Sequence, residues 1–284
     1  MKPLSWPNGA RIAVAVTVMF ETWSEGKAPS YSVQATALKP GTVDHGAKAW
    51  STYGGRVGVW RIVRTLERVQ MPGTFCINAQ CAEIYPEAVK QIARSGHDIA
   101  AHGYTQDALL AYMTPEEQRA TIRRCVDLLE AAGGKRPAGW LSPVLAFTPE
   151  TVEICAETGM QWHGDVTYTD LPHVVKTRHG AIAAVPASDF SDNRVLRASP
   201  RDYFDVYKGT FDYLYEYEPL SLLVLTLHCH FGGRPMIIAA FEEIMRYIGR
   251  FPNVWLARHG ELARWALEHG DERLGYADRF SSGK

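Results

Sequence analysis

The stretch IAVAVTVMF, residues 12–20, runs straight into Glu21. A short β-branched run of this kind reads as a strand, and it is far too short to span a bilayer. Similar runs recur at 74–78, 98–101, 139–141, 162–166, 182–186, 222–228 and 254–257. Between them lie amphipathic segments with helical spacing, at 57–69, 87–95, 115–132, 149–158, 200–217, 236–249 and 261–268. Strands alternating with helices from end to end predict an α/β fold on a parallel sheet. Helix starts are well marked. Thr114-Pro115-Glu116-Glu117 is a capping box with proline at the first helical position, and Thr148-Pro149-Glu150 and Ser199-Pro200-Arg201-Asp202 are variants of it.

No linker or repeat interrupts this alternation, so residues 1–284 read as a single catalytic domain. The exception to regularity is 22–54, which mixes glycine, proline, serine and aromatics without periodicity. A loop of that length in a compact domain is usually functional or disordered. Because it follows the first strand, it is expected over the strand ends, either as a lid or as a passive surface excursion.

Composition narrows the partners. Hydrophobic residues at 46% and charged residues at 21% allow a large core, and a net charge of -1 provides no field to draw phosphate backbones or anionic lipid. Nucleic acid and membrane are therefore not expected partners, and a small molecule is. The N-terminus lacks a charged-then-apolar secretory pattern, which makes the cytoplasm the expected location. The five cysteines are odd in number and form no close metal-type pair, so reduced, buried thiols are expected.

In a parallel α/β sheet the active site lies beyond the carboxyl ends of the strands. Those ends are polar here: Glu21, Asn78, His102, Ser142 after Trp140, Asp165, Ser188-Asp189, and His228-Cys229-His230. Singly, each is as readily a helix cap or a solvated loop residue. Together they converge on one mouth if the sheet curls. A carboxylate that takes a proton from water, paired with an imidazole that protonates a leaving nitrogen, is the minimum for hydrolysing an amide-like bond. Glu21 is the candidate base, and His102, His228 and His230 complete the catalytic set. His228 and His230, two residues apart, share a face if the strand continues through them. Paired acid-base catalysis of this kind predicts a bell-shaped pH profile.

Several segments, read together, resemble the polysaccharide deacetylase superfamily, in the branch that includes the metal-independent allantoinase, cyclic imide hydrolases and peptidoglycan-deacetylase-like proteins. They are 12–22 (IAVAVTVMFET), 54–66 (GGRVGVWRIVRTL), 73–78, 96–106 (GHDIAAHGYTQ), 139–148, 164–172, 225–235 (LTLHCHFGGRP) and 254–265. The resemblance implies a distorted (β/α) barrel of about seven parallel strands. It also implies a hydrolase of non-peptide carbon-nitrogen bonds and an assembly compatible with a homo-oligomer. Metal-dependent members end their first strand in two aspartates, a base and a ligand, and carry a histidine pair four residues apart after the third. The matching positions here are Glu21 and Thr22, then His102 and Gln106.

With two of three ligands replaced, the resemblance implies no metal cofactor. The alternative is a single zinc-like divalent ion in a rearranged site of His102, Asp165, His228 and His230, with Asp107 nearby. Without a metal, the oxyanion needs hydrogen-bond donors, for which His102, backbone amides after the fourth strand and Arg56 are candidates. Tyr53, Arg56, Trp140, Asp165, Trp23 and Tyr104 are the expected substrate-binding residues, with Phe231 and Asp170 beside them. The aromatics among them would suit a flat ring or a sugar face and would equally serve as core. Three functions stand: hydrolysis of a small amide, cyclic imide or ureide; metal-dependent deacetylation of an N-acetylated sugar or peptidoglycan fragment; and a non-catalytic barrel that binds a carbohydrate or metabolite.

Overall fold

β1 (Ile12–Phe20) sits at the centre of the sheet because it is bonded along both edges. The structure, a computed structural model, describes residues 4–269. Along one edge β1 pairs over nearly its whole length with β8 (Ser221–His228), from Ile12 opposite Ser221 to Met19 opposite His228. Its other edge is shared. β9 (Val254–Ala257) takes the first half and β2 (Thr74–Ile77) the second. Continuing outward from β2 are β3 (Asp98–Ala101), β4 (Gly139–Trp140), β5 (Trp162–His163), β7 (Gly180–Ala184) and β6 (His173–Thr177). Every pairing is parallel except that of β6 with β7. The sheet curls into a half-barrel, the distorted (β/α) barrel expected from the sequence.

The two-residue period of a strand sorts β1 into two cores. Ile12, Val14, Val16, Val18 and Phe20 face the helices, while Ala13 and Ala15 face inward. Continuing that inward register gives Thr17, Met19 and Glu21. β8 behaves alike, with Leu223, Leu225 and Leu227 outward and Leu222 and Val224 inward, ahead of Thr226 and His228. The chain thus carries small apolar side chains low in the barrel and reactive ones at its mouth.

Helices α4 (Pro86–Arg94), α5 (Pro115–Gly133), α6 (Pro149–Glu157), α7 (Pro200–Tyr217), α8 (Pro235–Ile248) and α9 (His259–His269) lie within about two residues of their predicted bounds. The Thr114/Glu117 capping box forms, and the Ser199 hydroxyl accepts the Arg201 amide at 3.1 Å. No helix among the described residues is long and apolar enough to cross a membrane.

Three local readings are corrected. The 22–54 segment is irregular only as far as Asp44, whose side chain caps α1 (His45–Tyr53). A π-helical turn over Gly54–Gly58 then joins α1 to α2 (Val59–Arg68), whereas the sequence placed the helix start at 57. The short α3 (Gln80–Ile84) was not anticipated. The single strand expected at 182–186 is half of the β6/β7 hairpin, turned at Gly180 with φ 111°. β6 escaped notice because its side chains are only part-buried and show no apolar run.

The π-helical turn has a packing role. A β-carbon at Gly58 would overlap the Cys229 carbonyl, and one at Gly54 would stand 3.0 Å from the His230 amide. These glycines let the helix lie directly on the loop that carries His228 and His230. Gly58→Ala is expected to destabilise the fold by roughly 1–3 kcal/mol through overpacking. Urea unfolding monitored by circular dichroism checks it.

Candidate active site

Glu21, His102, His228 and His230 lie together at the carboxyl ends of β1, β3 and β8, all buried. The Glu21 carboxylate stands between two imidazoles. Its Oε1 is 3.6 Å from His102 Nε2 and its Oε2 is 3.5 Å from His230 Nδ1. Asn78, at the end of β2, fixes the spacing: its Oδ1 accepts the Thr22 amide at 3.0 Å, and its Nδ2 donates to the His102 carbonyl.

Each histidine is set differently. His102 Nδ1 lies 2.6 Å from the Leu141 carbonyl, which can only accept, so Nδ1 carries a proton and Nε2 is the nitrogen presented to Glu21. His228 Nδ1 donates to Asp192 Oδ1 at 2.5 Å, and its backbone amide donates to Asp192 Oδ2 at 2.7 Å. Burial works against a charged His228 ring, but the carboxylates of Asp192 and Glu21 outweigh it and push the group up to about 9. His230 goes the other way. Burial drives it down to about 3 against the pull of Glu21, so it is a neutral ring. It is walled by Trp50 and Trp23, with Tyr31 Oη 3.2 Å from its Nε2. Burial would raise the Glu21 carboxyl, yet His228, with smaller contributions from His102 and His230, holds it at about 2. A carboxylate kept ionised faces an imidazolium kept protonated.

Of these groups Glu21, His102 and His228 open on a cavity of about 310 Å³, which Tyr31, Leu141 and Leu145 also line, whereas His230 is not among its lining residues. Val144 and Leu145 line its rim in successive left-handed conformations, φ 48° and 56°, which non-glycine residues adopt at a cost. A larger cavity of about 530 Å³ lies between α7 and the loops around the β6/β7 hairpin. Of the strand-end residues Ser188 and Asp189 line it, but Glu21, His102, His228 and His230 do not, and the smaller one is therefore the candidate site.

Asp165 reaches the site indirectly. It accepts the Ser142 amide and hydroxyl, both at 2.8 Å, and Ser142 Oγ accepts the Trp140 indole at 2.9 Å. This chain fixes the loop whose Leu141 carbonyl orients His102, and burial raises Asp165 to about 6. Trp140 is core. Trp23 packs edge-on to His230 and lines a neighbouring cavity of about 230 Å³ that also touches Glu21. Tyr53 and Arg56 line a surface hollow instead; the Tyr53 hydroxyl accepts from Arg61 and its ring carries Arg234 at 4.2 Å. Tyr104 donates to Glu83 at 2.6 Å under the Arg124 guanidinium, away from the cavity. Phe231 is buried against Trp50, and Asp170 lines the larger cavity. Asp107 accepts the Ser24 amide and so pins the start of the long loop.

Sequence reading missed Asp192 and Tyr31. The sequence puts the sixth strand's polar end at Ser188-Asp189, but Asp189 lines the larger cavity and Asp192, three residues on, holds His228. Nothing in the local pattern separates the two aspartates. Tyr31 lies in the aperiodic loop, where no register assigns a direction to a side chain.

Residues 42–163 match the family described as Polysaccharide deacetylase. A probable polysaccharide deacetylase from Pseudomonas aeruginosa PAO1 superposes with a TM-score of 0.84 at 28% identity, covering 94% of this chain and 95% of that one. The chain belongs to the polysaccharide deacetylase superfamily. A second structure, the Puue allantoinase, superposes with a TM-score of 0.83 at 27% identity over 94% of both chains. The peptidoglycan deacetylase of Helicobacter pylori is 22% identical over 247 residues, 74% of this chain and 84% of its own. As a superfamily member the protein is a deacetylase-like hydrolase of carbon-nitrogen bonds.

The superfamily implies a divalent metal, and the donors present do not fit one. Thr22 and Gln106 offer a hydroxyl and a carboxamide, and among the described residues no three His, Cys, Asp or Glu side chains are grouped to hold an ion. In the rearranged set Asp165 is committed to Ser142, while His228 and His102 are held through Nδ1 by Asp192 and the Leu141 carbonyl.

Proposed function

We propose that this protein hydrolyses a non-peptide carbon-nitrogen bond of a small amide, cyclic imide or ureide, with Glu21 as general base and His228 as general acid. The observation that carries the reading is the opposed charge state of these two groups on one cavity: Glu21 held down at about 2 and His228 held up at about 9. Glu21 takes a proton from water as the water oxygen bonds to the carbonyl carbon. His228, oriented through Nδ1 by Asp192, gives a proton from Nε2 to the nitrogen as the carbon-nitrogen bond breaks. The products are an acid and a neutral amine or urea nitrogen, and solvent returns the proton from Glu21 to His228.

For the oxyanion, the Leu141 and Ser142 amides are bonded to Ala101 and Asp165 and residue 143 is proline. That leaves His102 Nε2, buried without a hydrogen-bond partner among the described residues, as the group to polarise the carbonyl, and because Nδ1 already carries a proton it donates there only as the imidazolium. Residues 1–284 act as one catalytic unit in the cytoplasm, with Tyr31 and the 22–44 segment over the mouth.

A second reading, removal of an acetyl group from an N-acetylated sugar, is favoured by the Helicobacter pylori relative. A panel of cyclic imides, hydantoin-type ureides and N-acetyl sugars, assayed on protein purified without added metal and again with chelator, separates the two. Turnover of the small amides, unchanged by chelator, is expected. Turnover of N-acetyl sugars alone, abolished by chelator and restored by metal, overturns the proposal, and ligand binding without any turnover favours the non-catalytic barrel.

A further inference from the structure

The 310 Å³ cavity does not stop at the catalytic level. Below Glu21 and His228 its walls are Met19 and Thr226, and its lower end is lined by Thr17, Cys76, Trp162 and His259. Thr17 and Thr226 face each other in register on β1 and β8. His259, the first residue of α9, places its Nε2 3.0 Å from Thr17 Oγ1, and its ring lies 5.1 Å from that of Trp162. Its Nδ1 is buried with no hydrogen-bond partner among the described residues. With burial pressing His259 down to about 4, the ring is neutral and its two nitrogens have opposite roles. If the Thr17 hydroxyl donates to Nε2, Nδ1 is left as a donor; if Nε2 donates to Thr17, Nδ1 is an acceptor. A buried polar atom left unpaired costs stability that an apolar residue would not.

We propose that Thr17 and His259 form a specificity floor that hydrogen-bonds an uncharged polar group at the end of the substrate remote from the scissile bond. This rests on the proposed hydrolysis at Glu21 and His228 and narrows its substrate. Thr226 lies two residues below His228 on the same face, so the second polar group stands about 7 Å from the reacting one. Among the described residues Arg194, exposed at the mouth, is the only lysine or arginine lining the cavity, so no described cation neutralises a carboxylate at the floor. With Trp162 and His259 closing the lower end, the cavity takes the terminus of a small two-ended molecule, not a chain passing through.

Two hydantoins test the floor, one with a ureido arm on ring carbon 5 and one with an isobutyl arm of similar size. His259→Leu and Thr17→Val are expected to raise KM for the ureido compound by about tenfold or more, with kcat within about threefold. KM for the isobutyl compound should be unchanged or lower. His259→Asn, which keeps a polar atom near the Nδ1 position, should recover most of the loss. Equal loss on both compounds, or no loss on either, overturns the floor. Binding is read separately, by nitrogen-15 NMR of histidine-labelled Glu21→Gln protein. Movement of the His259 signals with the ureido compound alone supports the floor, even if the wild type turns over neither compound and the hydrolase reading falls. Failure of the ureido compound to bind, or binding that leaves His259 unmoved, overturns the floor while leaving catalysis at Glu21 to its own test.

Discussion

Glu21→Gln is expected to lower kcat/KM on any turned-over amide by about 10³-fold, within the range of roughly 10²–10⁴ for loss of a positioned general base. The substitution keeps the side chain's shape between His102 and His230 and removes only the charge. Substrate binding should persist, so the loss falls on kcat. Circular dichroism confirms the fold, and isothermal titration with a turned-over substrate confirms binding. A variant that retains more than about a tenth of wild-type activity would remove Glu21 from the role of base, since that is less than the smallest effect expected of one.

The second large effect is expected at a residue that touches the reaction through another. Asp192 positions His228 by two hydrogen bonds and holds its proton. Asp192→Asn should cost about 10²-fold or more in kcat/KM near pH 8 and move the alkaline limb of the profile. In the wild type Glu21 is required ionised and His228 protonated, so kcat/KM should be level between limbs near about 2 and about 9 and fall above the latter. The bell expected from paired acid-base groups is thus stretched into a plateau. Without the Asp192 charge the His228 group drops towards its ordinary value and the alkaline limb moves down in pH, so the variant regains relative activity on acidification. A merely structural Asp192 would lower activity evenly across pH.

Stability gives an independent check with a definite sign. A histidine whose folded value is raised stabilises the fold fully below its unfolded value of 6.5, and that contribution is lost as pH rises through about 9. The Tm gap between wild type and Asp192→Asn should therefore be widest near pH 6 and narrower by pH 10. A gap that widens with pH would contradict the pairing.

The strands whose inner faces carry the site were legible because their periodicity is strong. β1 and β9 match their predicted bounds, and the inward register of β1 and β8 leads directly to Glu21 and His228. Convergence of His102 with them followed from chain order in a curled parallel sheet. What stayed hidden has a common cause, that long-range geometry rather than local pattern decides it. Asp192 is one aspartate among several until β8 is laid beside it, and Tyr31 acquires a direction only when its loop folds back on His230. Tyr104 sits two residues after His102, but its hydroxyl goes to Glu83 beneath Arg124, and Tyr53 and Arg56 line a surface hollow, where Arg61 and Arg234 engage Tyr53.

The placement of β1 also bears on how the chain reaches this state. β1 leaves the ribosome before the other described strands, yet one of its edges is completed by β8 and half of the other by β9, both encoded more than 200 residues later. Through most of synthesis an apolar strand therefore waits with open hydrogen-bonding groups, a template for pairing with other chains. Such distant closure makes for slow folding. Production of this protein should accordingly be limited less by the stability of the finished barrel than by the protection its first strand receives while the last ones are still being made.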